Sequence, residues 1–115
     1  MEKIKPIIIR DEDTNSEYTL EFNRESVKWA ESRGFCLDDV ARYPMTKLPE
    51  FFYYAFRMHH KNISRNQTDA ILGKMNGIPN GLIDRLGELY MQPFTVFEVL
   101  EEGEERKNSP IAIEF

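Results

Sequence analysis

The stretch Leu48-Pro-Glu-Phe-Phe-Tyr-Tyr-Ala-Phe-Arg-Met-His-His60 constrains the fold of this chain most strongly. It holds five aromatic residues between positions 51 and 56. A helix turns by about 100° per residue, so these rings point in nearly every direction around its axis. An ordinary surface helix has one apolar stripe. This aromatic helix therefore needs cover on more than one side, from the rest of a small domain or from a partner.

Size and composition describe a small protein that can enclose a modest core. A length of 115 residues is typical of one domain, and 41% of the residues are hydrophobic. No apolar run approaches the roughly 18–20 residues that span a bilayer. The first residues lack an apolar signal core, and a single cysteine, Cys36, cannot form an internal disulfide. We expect a cytoplasmic protein that does not associate with membranes.

The charge pattern disfavours nucleic acid as a partner. The net charge is −5, and basic residues alternate with acidic ones, as in Arg24-Glu25. A protein that follows a phosphate backbone usually has a basic patch. The mixture here is more typical of a solvated face.

The N-terminal part predicts a β-hairpin over residues 3–22. Residues 4–10 contain a β-branched run, and residues 17–22 alternate polar and apolar residues with period two, which places Tyr18, Leu20 and Phe22 on one face. A polar turn sequence separates the two runs. Because a lone hairpin is marginal in water, its apolar face should pack on the rest of the chain.

Helix signals fill the chain from residue 24 to residue 100. Asn23 is a plausible N-cap for a helix that Gly34 ends, and a short helix should follow from Asp38. Thr46 is predicted to cap the aromatic helix, with Pro49 in its first turn, and this helix should run to about His60 or Lys61.

Two further signals come after the aromatic helix. Ser64-Arg-Asn-Gln67 matches a capping box and opens a helix to about Met75, and Asn76–Gly81 is a strong break. The last segment has apolar residues spaced by four and three, with Pro93 expected to kink it or split it. This predicted seam consists of Leu82, Leu86, Leu89, Pro93, Val96 and Leu100.

These signals together predict an α+β fold, in which the N-terminal hairpin packs on a mainly α-helical domain of four to five helices. Residues 1–100 form the expected single globular domain, with the hairpin at 3–22 and the helices at 24–100. Residues 101–115 are expected to be a flexible charged tail, because 101–110 are almost entirely polar.

Three candidate chemical sites have simpler structural explanations. Asp11-x-Asp13-x-Asn15 resembles the opening of an EF-hand loop, but Ser16 and Phe22 stand where that loop needs glycine and a bidentate glutamate. We therefore interpret this stretch as a polar hairpin turn.

The other two candidates are histidine and cysteine. Adjacent helical histidines such as His59 and His60 point about 100° apart, unlike the i, i+4 pair of a helical zinc site. Cys36 lies between two apolar residues with no Cys-His signature nearby, which predicts a buried structural cysteine. With no phosphate-binding, dinucleotide-binding or nucleophile motif, we expect no enzyme, no cofactor and no metal.

Taken in order, several segments resemble the tail assembly chaperones of long-tailed phages and prophages of Gram-positive bacteria. The likeness covers roughly residues 15–108. The segments that carry it are Tyr18-Thr-Leu-Glu-Phe-Asn-Arg-Glu-Ser-Val27, Glu31-Ser-Arg-Gly-Phe35, Leu48–Phe56 with His59-His60, and Leu86-Gly-Glu-Leu-Tyr90.

The resemblance implies a non-enzymatic role in the cytoplasm of the host cell and absence from the mature virion. Such chaperones bind the helical tape measure protein and keep it soluble until tail tube subunits, which are a second expected partner, assemble around it. They are mainly helical and self-associate, which implies a homo-oligomer. The family often makes a second, longer product by ribosomal frameshifting, for which Lys107-Asn108 is a candidate position.

The candidate contacts with a partner come from this chain alone. We predict helix-in-groove recognition by the aromatic helix, with a second wall from the last helical segment. An alternative is that the aromatic helix is the central helix of a bundle and is buried by the others. The candidate contacts are Phe51, Phe52, Tyr54, Phe56 and Met58, with Leu89, Tyr90 and Phe94 as the second wall.

The sequence is also compatible with two other functions. The first is a cytoplasmic adaptor or regulatory module that holds one short helix in the same groove. The second is a small nucleic-acid-binding protein, for which a salt-sensitive shift of DNA or RNA would be the evidence.

Overall fold

The computed structural model describes residues 3–98 and 110–115. It confirms the α+β arrangement, with an antiparallel hairpin followed by helices. The strands are β1 (Ile7–Asp11) and β2 (Ser16–Leu20). The helices are α1 (Arg24–Ser32), α2 (Asp38–Arg42), α3 (Pro44–Phe56), α4 (Arg65–Lys74), α5 (Leu82–Met91) and a 3-10 helix (Gln92–Phe97).

Some predictions fall on residues 99–109, which lie outside the described part of the chain. They concern the last helical position at residue 100, most of the tail and the Lys107-Asn108 pair. Residues 110–115 are described and have no regular secondary structure. Among the described residues, no helix has the length and apolar character needed to cross a bilayer.

The hairpin packs one face on the helices, as the alternation in the sequence predicts. Its register pairs Ile7 with Leu20 and Ile9 with Tyr18, and all four side chains belong to the core or pack against it. The edge of β2 meets the end of α3, where the Glu21 amide donates to the Ala55 carbonyl over 3.1 Å. The hairpin is therefore fixed to the aromatic helix through its backbone as well as its side chains.

The predicted caps of α1 and α4 are confirmed as complete capping boxes. The Asn23 side chain accepts from the Ser26 amide over 2.8 Å, and the Ser26 hydroxyl accepts from the Asn23 amide. Ser64 and Gln67 exchange the equivalent pair of hydrogen bonds. These bonds satisfy amide groups that the first turn of a helix leaves without partners.

The predicted boundaries of the aromatic helix are wrong at both ends. The helix α3 begins at Pro44, a residue favoured at the first helical position, and Thr46 donates to the Tyr43 carbonyl instead of capping. Pro49 therefore lies inside the helix, where the carbonyl left without an amide donor belongs to Met45, which is 90% exposed. The α-helix ends at Phe56, and the chain continues in hydrogen-bonded turns.

The core surrounds α3, which contacts β2, α1, α2, α4 and α5. Phe51 shows how the elements meet there. Its ring stacks on Phe22 at 5.7 Å and on Phe35 at 5.3 Å, and meets Tyr90 edge-on at 5.7 Å. Offset and edge-to-face pairs at such distances add to the free energy gained by burial. One buried cluster thus joins the region after the hairpin, the loop after α1 and the helix α5.

The predicted apolar seam is buried over only part of its length. Leu86 and Leu89 are buried, whereas Val96 is 61% exposed. Pro93 does split the segment, as predicted, because its ring cannot continue the α-helix. The chain then forms a 3-10 helix with about three residues per turn, so the spacing of four and three no longer keeps one face turned to the core.

Candidate interaction surface

Six of the eight candidate contact residues lie in the core. Their fractional exposures do not exceed 4%, so none of them forms the wall of an open groove in this fold. The alternative in which the other helices bury the aromatic helix describes them better, because five elements cover α3. The six residues are Phe51, Phe52, Tyr54, Phe56, Leu89 and Tyr90.

The two tyrosines of this group, Tyr54 and Tyr90, belong to the core and not to an exposed contact surface. Tyr54 donates its hydroxyl to Glu50 over 2.9 Å, and burial, followed by this bond to a carboxylate, raises the pKa of Tyr54. Burial, followed by the nearby charge of Glu31, raises the pKa of Tyr90 to about 12. The Tyr54 hydroxyl therefore already has its partner within the fold.

Met58 and Phe94, the other two candidates, are half-buried and line grooves on either side of the 3-10 helix. Whether they contact a partner stays a prediction. Two further residues lie beside them. Val96 belongs to the predicted seam and is 61% exposed, and Phe97, which no sequence pattern indicated, is 64% exposed. We call Met58, Phe94, Val96 and Phe97 the 3-10 surface.

The first groove separates the 3-10 helix from α1 and has a volume of about 260 Å³. Its apolar floor comes from both helices, and the Arg24 guanidinium lies 5.0 Å from the centre of the Phe97 ring at its rim. The lining residues are Arg24, Val27, Lys28, Glu31, Pro93, Phe94 and Phe97.

The second groove lies on the other side of the 3-10 helix and has a volume of about 380 Å³. It shares Arg24 and Pro93 with the first groove, so the two are adjacent. Its lining residues are Lys3, Glu21, Phe22, Asn23, Arg24, Met58, Gln92, Pro93, Thr95 and Val96.

A third, more polar groove of about 560 Å³ continues this region around α1 and shares Met58 with the second groove. Trp29 lies in it, and the guanidinium carbons of Arg33 and Arg57 are 5.1 and 4.4 Å from the centre of its ring. Lys28 and Lys61 also line it. Grooves with both apolar and cationic residues are suited to contacts with another macromolecule.

Cations outnumber carboxylates around the 3-10 surface, although the whole chain carries a net charge of −5. Within the described residues, Arg24, Lys28, Arg57 and Lys61 form no ion pair with a carboxylate. Glu25 and Glu31 are the carboxylates that share the first and third grooves with them. This face therefore carries an excess of positive charge, which favours contact with acidic groups.

The two histidines hold the hairpin to the end of α3. His59 lies 2.8 Å from Glu21, which also pairs with Lys3 at 3.2 Å. Burial raises the pKa of Glu21, but the hydrogen bonds with His59 and Lys3 outweigh it and keep the pKa below its ordinary value. The His60 Nε2 atom accepts from the Thr19 amide over 3.0 Å. Burial, followed by the charge of His59, lowers the pKa of His60.

Cys36 is exposed, so the prediction of a buried cysteine is wrong. Gly34, at φ +86°, turns the chain so that Phe35 enters the core and Cys36 is left exposed. In the described part of the chain, no group of three or more histidine, cysteine, aspartate or glutamate residues could hold a metal ion.

The sequence held one usable signal for the 3-10 surface. Pro93 is followed by Phe-Thr-Val-Phe97, and a proline that breaks a helix also interrupts its apolar stripe. Apolar residues after such a break need not face the core. The cationic side chains could not be located from the sequence, because Arg24 and Arg57 are far apart along the chain.

Comparisons with known proteins add a family and nothing more specific. A family model described as a domain of unknown function, DUF5055, matches residues 1–115. A comparison with the curated proteins found no match to this chain. A comparison with the solved structures also found none.

Proposed function

The chain belongs to the DUF5055 family, and we propose that it is a non-enzymatic tail assembly chaperone that binds the helical tape measure protein and keeps it soluble. The resemblance in the hairpin, the first helix and the aromatic helix supports this role. On this proposal the protein acts in the host cytoplasm, hands its client to tail tube subunits, and is absent from the mature virion.

The observation that carries a binding role is the 3-10 surface. Val96 and Phe97 are large apolar side chains with exposures of 61% and 64%, and they lie beside two grooves. Exposed apolar groups that border a groove favour protein–protein contact. The aromatic residues of α3 are already used to build the core, so the client is assigned to this surface instead.

A helical client fits the shape and chemistry of the surface. An amphipathic helix presents apolar anchors spaced by three or four residues to an apolar groove. The groove between the 3-10 helix and α1 has an apolar floor and a rim on which Arg24 and Lys28 outnumber one carboxylate, Glu31. We propose that apolar anchors of the client enter this groove and that its carboxylates face the rim.

Co-expression with the tape measure protein tests the proposal. The client is expected to be soluble with the wild-type chain and insoluble with Phe97→Asp, since a charge at an apolar contact loses the burial that drives binding. Met45→Asp is the matched control, because Met45 is 90% exposed and lines none of these grooves. Equal solubilisation by wild-type and Phe97→Asp chains would contradict the assignment of the surface.

The same preparation separates the two other functions. A helix-binding adaptor would capture another helical protein and leave the tape measure protein insoluble. A nucleic-acid-binding protein would shift DNA or RNA in a salt-dependent way. Either result without client capture would refute the chaperone proposal.

A further inference from the structure

We propose that residues 110–115 of one copy of the chain dock on the 3-10 surface of a second copy. The proposal concerns a second use of that surface and does not depend on the identity of any client. It starts from two apolar features that the structure leaves uncovered on the same chain. One is the pair Val96 and Phe97, and the other is the pair Ile113 and Phe115.

The terminal pair is as exposed as the surface that it would meet. Ile113 is 64% exposed and Phe115 is fully exposed, so most of their apolar area stays in contact with water. In an extended chain, alternate side chains point to the same side. Ile113 and Phe115 would therefore enter the surface together, while Glu114 faces the opposite side or the rim.

Charge complementarity favours this occupant. The rim of the surface has Arg24, Lys28, Arg57 and Lys61 without carboxylate partners in the described part of the chain. The apolar pair flanks Glu114, and the sequence before it includes the acidic run 101–105, which has four glutamates. Complementary charges increase the rate of association and fix its orientation.

The occupant belongs to a second copy because one chain leaves both features exposed at once. Within the described residues of a single chain, neither Ile113 nor Phe115 is covered, and neither is Phe97. A contact between two different patches on identical chains is heterologous, so it repeats from copy to copy unless a ring or a mutual exchange of segments closes it. The proposed assembly therefore grows with concentration, either as a head-to-tail series or as a closed species in which copies exchange their segments.

Sedimentation velocity of the full chain over a wide concentration range tests the proposal. The wild type is expected to form dimers or larger species whose average size rises with concentration, and added salt should reduce that size. Two variants each remove one side of the contact. Phe97→Asp removes the receiving surface, and Ile113→Asp/Phe115→Asp removes the inserted segment, so each variant alone should stay monomeric.

Mixing the two variants gives the decisive measurement. The double variant keeps an intact receiving surface, and Phe97→Asp keeps an intact inserted segment. An equimolar mixture should therefore form a one-to-one complex that cannot extend further. Damage to the fold would not be repaired by mixing, so this complementation separates a direct contact from a structural effect.

Controls keep the test decisive. Met45→Asp should associate like the wild type, and Val96→Asp replaces Phe97→Asp if circular dichroism shows that the latter is unfolded. A wild type that is monomeric at all concentrations, a single variant that still associates, or a mixture that stays monomeric would each overturn the proposal. Client solubilisation by a strictly monomeric wild type would overturn it and leave the chaperone role intact.

Discussion

Two aromatic segments of this chain have opposite fates. In α3, Phe51 and Phe56 are 1% and 0% exposed, whereas Phe97 in the 3-10 helix is 64% exposed. Both segments are rich in large apolar side chains, and both contain a proline. They differ in the number of neighbours, because five elements pack around α3 while the 3-10 helix contacts α1 and α5. Aromatic density therefore predicts a need for cover, and the topology decides which segment receives it.

The two regions also differ in whether their charged side chains have partners of opposite charge. Around α3, Glu50 lies against Lys47 at 3.2 Å and the Tyr54 hydroxyl at 2.9 Å, so its charge is already compensated. Around the 3-10 helix, Arg24 lies over an exposed ring and lacks a carboxylate partner within the described residues. The aromatic part of α3, residues 51–56, is therefore largely closed to other molecules, and the face around the 3-10 helix is open to them.

The largest expected effect comes from truncating the core. Phe51→Ala should lower the free energy of unfolding by about 3–5 kcal/mol, because it removes a ring that meets three others and leaves a cavity. Small domains have a total stability of about 5–15 kcal/mol, so this loss would leave much of the protein unfolded at moderate urea concentrations. Urea unfolding followed by circular dichroism measures it.

Phe51→Leu is the matched variant for this test. It keeps an apolar side chain at the same place, so it should lose clearly less stability than Phe51→Ala. If Phe51→Ala unfolded at the same urea concentration as the wild type, the division between a closed and an open aromatic region would be wrong.

The sequence predicted the elements better than their packing. The period-two pattern ending at Leu20 and the caps at Asn23 and Ser64 are local signals, and the structure has the hairpin and both capped helices. The predicted start of α3 is wrong because Thr46 and Pro44 compete as helix starters, and the choice depends on how α2 ends at Arg42. Local rules do not resolve such a competition.

Burial around α3 was harder to predict, because it depends on elements that are distant in the sequence. Phe51 is covered by Phe22, Phe35 and Tyr90 together, and no pattern within residues 48–60 contains that information. The exposed position of Val96 has a similar origin. It comes from the change to a 3-10 helix after Pro93, which shifts the register of a seam that looks continuous in the sequence.

A smaller effect is expected below neutral pH, where protonation of His60, just after the closed region, should lower the free energy of unfolding. His60 accepts the Thr19 amide through Nε2, and burial followed by the charge of His59 lowers its pKa from the ordinary 6.5. The unfolded chain therefore binds a proton at a higher pH than the folded chain does. Stability from neutral His60 is fully present above pH 6.5 and should be lost as the pH falls from there towards the lowered pKa.

His60→Gln isolates this contribution from those of neighbouring groups. Glutamine does not titrate and can accept the same amide, so the difference in unfolding midpoint between the two proteins should change between about pH 7.5 and about pH 5.5. Glu21, whose pKa is below the ordinary 4.5, loses its contribution only at lower pH. Parallel pH profiles for wild type and His60→Gln would show that His60 does not carry the effect.

The smallest effect on stability is expected in the open region. Because a variant there should stay folded, it can report on binding alone. Phe97→Ala removes a ring that is 64% exposed and that lies 5.0 Å from the Arg24 guanidinium. An exposed cation–π contact is worth about 0.5–1 kcal/mol, so the free energy of unfolding should fall by no more than about that amount. Arg24→Gln should cause a similar small loss, because it removes the same contact from the other side.

The two variants should differ in their effects on client binding, since Phe97→Ala removes apolar area from the contact while Arg24→Gln removes charge from the rim. Client capture is therefore expected to fall strongly for the first variant and to become less sensitive to salt for the second. A loss of several kcal/mol in Phe97→Ala would mean that the 3-10 helix is part of the core, and the comparison between the two regions would no longer hold.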